Sequence, residues 1–496
     1  MAGTAVERSG VWPGRALVAL VLGLTALRLA VAAGAGPSDD EAYYRLWSLA
    51  PAWGYLDHPP MVAWWMALGR WLAGDTLLGL RLLAPLALLA GSWPLWRTAR
   101  LLYGPGVAQR ALLFFHVLPL VAVGGVVMTP DVPAVLFWGL ALWTLAEYAA
   151  GRDARWFLAT GLCCGFGLLS KYALAGLGAG LLLWLATLPA LRPALRSPWL
   201  WLGGLLALLL FLPVVLWNAA HGQASFALQL GRLVRWEGLE GRFLAEFLGG
   251  QLLLLGPLLL PFLALGLAAA WRDWRRGDGM AALPLATSLP LAAVLLLHAL
   301  HERVLGQWPA PLYPAAALLA ARGVESLPAL TAAARRWLRP LARAVAPAGL
   351  AFTLLLYGYA ALPLGPLPLR EPTWQLRGWP AFAAAVAGEA EAAGAAWIAT
   401  PTYALTGQLS LALPAGPPVL QLNQRLRYTS LPPPDPALLR RPALFVTEAG
   451  RDYGWLLRPL FAERRLLATL ERAEDGVTLA AYELWRLEGF GGEFLP

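Results

Sequence analysis

Long apolar runs separated by short basic clusters set the pattern of this chain from Ala16 to about Pro363. A bilayer core about 30 Å thick takes roughly 20 apolar residues per helix. On that measure the runs predict membrane helices at 16–34, 78–97, 108–127, 132–149, 156–170, 173–189, 199–217, 248–270, 281–300, 308–321 and 344–363, about eleven in all. The segments 156–170 and 173–189 are short enough to read also as one kinked span with a re-entrant piece. Met61 to Leu72 is too short to cross and carries Trp64, Trp65 and Trp71, which predicts a helix lying in the interface. The first segment, flanked by Arg8 and Arg15, lacks a convincing cleavage site and reads as a retained helix rather than a signal peptide.

After Leu364 the apolar blocks shorten. Ala395–Thr400, Pro418–Leu422 and Ala443–Thr447 read as short buried strands, and Ala381–Ala393 as a helix between Pro380 and Gly394. The expected organisation is mainly α: a polytopic membrane domain over 1–363, followed by a small α/β domain over 364–496 outside the membrane. The proline-rich stretches 363–372 and 432–434 suit stiff linkers.

Composition supports this division. The 496 residues are 59% hydrophobic and 14% charged, with 25 Trp, whereas a soluble domain carries about 25% charged residues. The net charge of +9 collects in short loops. With the N-terminus cytoplasmic, the inner loops hold Arg97, Arg100 and Arg110, Arg152 and Arg155, Arg192 and Arg196, Arg272, Arg275 and Arg276, and Arg335, Arg336, Arg339 and Arg343, so the positive-inside rule is met at every turn. The excess answers to anionic headgroups of the membrane lipids. No basic stripe interleaved with aromatics appears, so no nucleic-acid partner is expected. Cys163 and Cys164 are adjacent in an apolar run and imply no disulfide framework.

The opposite face then carries Ser38-Asp39-Asp40-Glu41, Asp131, Lys171, the 218–247 loop, His301-Glu302-Arg303 and the C-terminal residues. Consecutive carboxylates at a bilayer edge cost desolvation energy unless they meet water, a cation or a substrate. They mark a candidate site, although the same acids suit capping of the following helix, with Ser38 or Asp39 as N-cap.

The spacing of Asp40-Glu41-Ala42-Tyr43-Tyr44, Gly54-Tyr55-Leu56-Asp57-His58-Pro59-Pro60, Thr129-Pro130-Asp131, Ser170-Lys171-Tyr172 and Gln307-Trp308-Pro309-Ala310-Pro311-Leu312-Tyr313-Pro314 resembles the bacterial glycosyltransferases related to protein O-mannosyltransferases and to lipid A aminoarabinose transferases. The resemblance covers nearly the whole chain. It implies a GT-C fold, a polyprenyl-phosphate-linked sugar donor, and transfer on the extracytoplasmic face of a bacterial inner membrane to a lipid, protein or polysaccharide acceptor. It also implies that Asp40, in the first extracytoplasmic loop, is the catalytic aspartate, with Glu41 beside it.

That chemistry needs a base for the acceptor proton and cations for the charge developing on the leaving phosphate. Asp40 is the expected base. Asp131 either orients the acceptor, or joins Asp40 on a divalent cation, or caps the next helix. Lys171 is the only lysine in the chain, and a compact ammonium kept in an apolar stretch suits a phosphate contact; snorkelling to the interface is the alternative. Arg303 offers a planar fork to the same phosphate. Tyr44, Tyr55, His58 and His301 are further substrate-binding candidates, while His116 reads as packing. No zinc-spaced cluster, glycine-rich phosphate loop or Walker signature supports use of a soluble nucleotide. A lipid-linked sugar flippase is the rival reading; it predicts charges near mid-bilayer in repeated halves, and no internal symmetry is visible.

Overall fold

The computed structural model describes residues 14–234, 238–361, 372–492 and 494. Arg8 and all but the last residue of the 363–372 linker lie outside them. Among the described residues six helices are long and apolar enough to cross a membrane: Arg15–Gly34, Leu77–Tyr103, Asp131–Gly151, Pro198–Ala220, Gly279–His298 and Ala332–Ala361.

The expected count of about eleven differs for reasons that hydropathy does not register. The run 248–270 is broken into Gly241–Leu255 and Leu260–Arg275, which meet at 102° across Gly256, held at φ 83°. The run 108–127 stops at His116 and restarts as the short helix Pro119–Gly124, where Pro119 lacks the donor needed to continue the first. Trp156–Ser170 and Tyr172–Thr187 remain short apolar helices, parted at Lys171, whose backbone is extended (φ −158°, ψ 135°). The run 308–321 yields a 3-10 turn at Ala310–Leu312 and an α-helix only from Tyr313 to Glu325.

Two compact units divide the chain. The first gathers the described residues up to Ala30, with His58–Met61 and Leu83–Tyr357; the second gathers Val31–Asp57, Val62–Leu82 and the described residues from Gly358 onward. In the first unit, a Cβ on Gly161 would stand 2.1 Å from the Gly203 carbonyl oxygen. The helices Trp156–Ser170 and Pro198–Ala220 therefore pack backbone against backbone, the small-residue packing that replaces the hydrophobic effect between helices in lipid. Its interior also holds Arg28, fully buried, whose guanidinium donates to the Tyr357 hydroxyl at 3.1 Å and the His116 carbonyl at 3.0 Å and faces His116 Nδ1 at 3.0 Å. His116 is thus a hydrogen-bonding partner as well as a packing residue.

The second unit holds a five-stranded sheet: β1 (Trp397–Thr400), β2 (Val419–Gln421), β3 (Ala443–Glu448), β4 (Phe461–Glu474) and β5 (Val477–Phe490), in the order β2-β1-β3-β5-β4. The first three strands are parallel and fall where the apolar runs predict them; β5 pairs antiparallel with β3 and β4. The β4–β5 hairpin is not among the expected elements. Its turn, Asp475-Gly476, has φ 48° and 79°, the doubly positive pair that an Asp-Gly hairpin turn supplies. Apolar side chains cover both sheet faces, with Phe382, Ile398 and Leu444 on one and Trp397, Phe445 and Leu487 on the other. The helices Trp379–Ala392 and Tyr403–Ala412 flank it.

Arg28 generates a stability prediction. Arg28→Ala removes its bonds to Tyr357 and His116, at about 1–3 kcal/mol for each buried group left unpaired. The thermal midpoint in detergent should fall clearly for Arg28→Ala and by less for Arg28→Lys, which keeps the charge and a single donor nitrogen but not the fork that reaches both partners.

Candidate active site

Pro37 cannot extend the first helix, and Ser38, with extended backbone, starts the next one, Asp39–Leu49. Ser38 and Glu41 form a reciprocal capping box: Ser38 N–H donates to Glu41 Oε2 at 3.0 Å and Glu41 N–H to Ser38 Oγ at 3.3 Å. One acid of the cluster is therefore a capping acid, as the helix-start pattern S-x-x-E allows.

Glu41 also meets Arg81. The guanidinium donates to both carboxylate oxygens, Nε to Oε1 at 2.7 Å and Nη2 to Oε2 at 2.8 Å, with both side chains 1% exposed. The remaining donors of Arg81 reach the carbonyls of Ala32, Ala35 and Gly36 at 3.2, 2.6 and 2.6 Å, at the C-terminal end of the Arg15–Gly34 helix. One forked cation closes the end of one helix and the start of the next, matching the negative end of the first macrodipole and the acid at the N-terminus of the second. Glu41, expected beside the base as a catalytic group, is an anchor: a buried carboxylate with both oxygens bonded has no access to an acceptor.

Asp39 and Asp40 are left partly exposed in the first turn. Asp40 Oδ1 accepts from the Tyr403 hydroxyl at 3.3 Å, and Asp39 Oδ1 accepts from Gln408 Nε2 at 2.9 Å. Burial raises the Asp39 carboxyl above its ordinary range, against the bond from Gln408 and the charge of Arg472. Tyr403 and Gln408 lie on one helix, brought against Asp39–Leu49 at Gly407: a Cβ there would stand 2.7 Å from Ala42 C and Tyr43 N. Only glycine permits that approach.

Asp57 completes the acidic set. It pairs with Arg427 and accepts from the Tyr43 hydroxyl at 2.9 Å, while the Arg427 guanidinium lies over the Tyr403 ring, 5.0 Å from its centre. Tyr44 is buried, and its phenol is held well above its usual range by burial and then by the negative charges of Asp40 and Asp57. Tyr55, expected to touch substrate, serves its own loop: its hydroxyl donates to the Trp47 carbonyl at 3.2 Å and accepts from Ala52 N–H at 2.8 Å, its ring stacks on Trp47 at 4.3 Å, and burial pushes its phenol up to about 12. Next to Asp39 and Tyr403 opens a cavity of about 840 Å³, lined also by Trp374, Trp379, Arg451 and Arg472.

In the first unit Asp131 opens the helix Asp131–Gly151 but makes no side-chain cap. Its Oδ1 instead accepts from Lys171 Nζ at 2.5 Å, both side chains being nearly buried at 13% and 12% exposure. Two candidates thus form one ion pair, and the partner found for Asp131 is an ammonium rather than a metal-sharing carboxylate. A lysine so held is not a freely snorkelling one. Arg303 faces Glu246 at 3.3 Å with both side chains exposed, a pairing that contributes little and leaves the fork able to turn to another anion. His58 is half-buried before the helix that starts at Met61. His301 is buried, its ring edge-on to that of His298 at 4.8 Å.

Arg81, Arg427, Tyr403 and Gln408 are absent from the sequence candidates. Arg81 carries a signal, since an arginine inside an apolar run is costly unless paired. The other three come from segments remote in sequence, with no motif of their own.

Comparison with known proteins agrees with the motif resemblance. Residues 57–217 match the model of the dolichyl-phosphate-mannose-protein mannosyltransferase family. The chain is 29% identical over 285 residues to the lipid A galacturonosyltransferase RgtD of Rhizobium johnstonii, a match that spans 57% of this chain and 59% of that protein. Its fold resembles ArnT of Cupriavidus metallidurans in the crystal structure bound to undecaprenyl phosphate, with TM-score 0.64, 17% identity, and coverage of 95% of this chain and 97% of that one. The archaeal oligosaccharyltransferase AglB of Archaeoglobus fulgidus, in complex with an inhibitory peptide and a dolichol-phosphate, matches at TM-score 0.52 and 12% identity over 87% of this chain and 69% of that one. The expected GT-C fold is the fold observed, with a small C-terminal sheet domain.

The Glu41–Arg81 pair is open to a direct test. Removing one partner of a buried ion pair costs about 3–5 kcal/mol because the other charge is left uncompensated. Arg81→Met should lower yield and thermal midpoint sharply, and Glu41→Gln with Arg81→Met should recover part of the loss. A double-mutant cycle in detergent reads this coupling.

Proposed function

We propose that this chain is a membrane glycosyltransferase that moves a hexose- or pentose-type sugar from a polyprenyl-phosphate donor to an acceptor on the extracytoplasmic face of the bacterial inner membrane. The observation that carries this reading is the sorting of the acids. Glu41 and Asp57 are buried and each bonds an arginine, whereas Asp40, in the first turn of the same helix as Glu41, keeps partial solvent access and has the Tyr403 phenol among its partners. A base must be reached by the acceptor whose proton it takes, and a buried, arginine-bonded carboxylate is not.

In the proposed reaction the acceptor hydroxyl oxygen attacks the anomeric carbon while Asp40 takes its proton. The bond from that carbon to the lipid-phosphate oxygen breaks, and the phosphate leaves with the electron pair, so the configuration inverts. Where the acceptor is itself an ionised phosphate, Asp40 positions it instead. Lys171 stabilises the charge on the leaving phosphate, with Asp131 as its resting counter-ion, and Arg303 adds a second, mobile cation. The ammonium's compactness suits a site already tightened by the 2.5 Å contact to Asp131.

The cavity beside Asp39 supports a large saccharide acceptor. The half-buried rings of Trp374 and Tyr403 suit contact with sugar rings, and the exposed Arg451 suits phosphate or carboxylate groups on them, while Arg472 is held over the Trp379 ring. The similarity to a lipid A galacturonosyltransferase makes a lipid-anchored, anionic saccharide the acceptor to try first. The arginine-rich loops support an extracytoplasmic acidic segment and C-terminal domain under the positive-inside rule.

Two measurements follow. Asp40→Asn should leave the protein folded and inserted while cutting transfer from purified polyprenyl-phosphate sugar by about 10²–10⁴-fold, the range for lost acid–base catalysis; Asp39→Asn should be milder. Wild-type turnover in Asp40→Asn would move the base elsewhere. Lys171→Arg keeps the charge but should impair transfer, because a guanidinium is bulkier and prefers a forked partner. Lys171→Met should be worse, and donor-binding assays on both variants separate this role from a purely structural one.

A further inference from the structure

We propose that His298, His301 and Glu302 bind a divalent transition-metal ion of the zinc type. His298 is the last residue of the Gly279–His298 helix, and the N–H groups of His301 and Glu302 fold back onto its carbonyl at 3.1 and 3.0 Å. The spacing i, i+3, i+4 on this final turn puts the three side chains on one side. One ligand atom from each lies within 4.8 Å of the other two. Zinc–ligand bonds of about 2.0–2.2 Å in a tetrahedron need donors roughly 3.3–3.5 Å apart, so closure takes rotations of side chains and no movement of the backbone.

His298 supplies the independent reason for a ligand. It is 2% exposed, and neither ring nitrogen has a hydrogen-bond partner among the described residues. A neutral imidazole presents one N–H and one lone pair, and burying either unmet costs about 1–3 kcal/mol. Glu302 Oε2 stands 3.9 Å from Nε2, too far for a hydrogen bond and well placed to share an ion. Trp308 stacks on the His298 ring at 5.5 Å and fixes its plane.

The donor set selects the metal. Two imidazoles and one carboxylate suit zinc, cobalt or nickel, while calcium and magnesium prefer all-oxygen sites. Glu302 is 45% exposed, so the fourth position opens to solvent and would hold water or an anionic oxygen. Neither Asp40 nor Asp131 takes part.

The test uses the full chain, purified in detergent, stripped with a chelator and titrated with Co²⁺ and then Zn²⁺. One equivalent of Co²⁺ should give the visible absorption of a tetrahedral site, Zn²⁺ should displace it, and Zn²⁺ should raise the thermal midpoint. His298→Gln should abolish the cobalt band. Glu302→Gln, at an exposed position with little effect on folding, should weaken Co²⁺ binding at least tenfold. Absence of the band in the wild type, or a band and a zinc-dependent midpoint that persist unchanged in Glu302→Gln and His298→Gln, overturns the proposal.

Discussion

The buried pair of Glu41 and Arg81 is the interaction on which the acidic segment depends. Glu41 closes the capping box of its helix, and Arg81 ties that carboxylate to three carbonyls at the end of the first helix. The net stability of such a pair is modest, because desolvation of two charges offsets most of their attraction. Its value lies in registry. With both groups 1% exposed and bonded through a fork, the pair fixes the start of the helix that bears Asp39 and Asp40, the preorganisation that the proposed base would need.

A second layer builds on the first. Arg427 on Asp57 and Tyr403 on Asp40 connect the acidic segment to residues more than three hundred positions later, and Tyr43, which also bonds Asp57, packs on Tyr403. The rings of Tyr43 and Tyr403 pack at 4.8 Å, so the positions of the acids are set by aromatic packing as well as by charge. Gly407 lets this happen, since any larger residue would collide with the backbone at Ala42 and Tyr43. The C-terminal sheet domain is thus a structural support for the acidic turn, within one compact unit.

Membrane architecture explains where charge is tolerated. Arg28, Arg81, Asp131 and Lys171 all lie in or next to apolar helices, and each is bonded to a partner inside the protein. In lipid an unpaired charge costs several kcal/mol. Exposed pairs such as Arg303–Glu246 face no such constraint, and they remain free to exchange partners.

Much of this was legible in the residue order. Apolar run length and arginine placement determine a polytopic membrane protein, because bilayer thickness and headgroup charge act on any segment independently of its neighbours. Three of the five strands follow from short buried apolar runs; the β4–β5 hairpin is not among the expected elements, although its Asp475-Gly476 turn carries a hairpin signal. Asp40 stood out because three acids in a row at a bilayer edge exceed what capping needs. Other features belong to tertiary structure. Which acid caps, which anchors and which stays accessible depends on where Arg81, Arg427 and Tyr403 arrive, and long-range pairing leaves no periodic trace in sequence. The bend at Gly256 and the joining of Lys171 to Asp131 likewise belong to the tertiary structure, whereas the break near Lys171 is already present between the predicted runs 156–170 and 173–189. Local pattern determined the elements and the candidate chemistry; the assignment of roles among like charges came only when distant segments met.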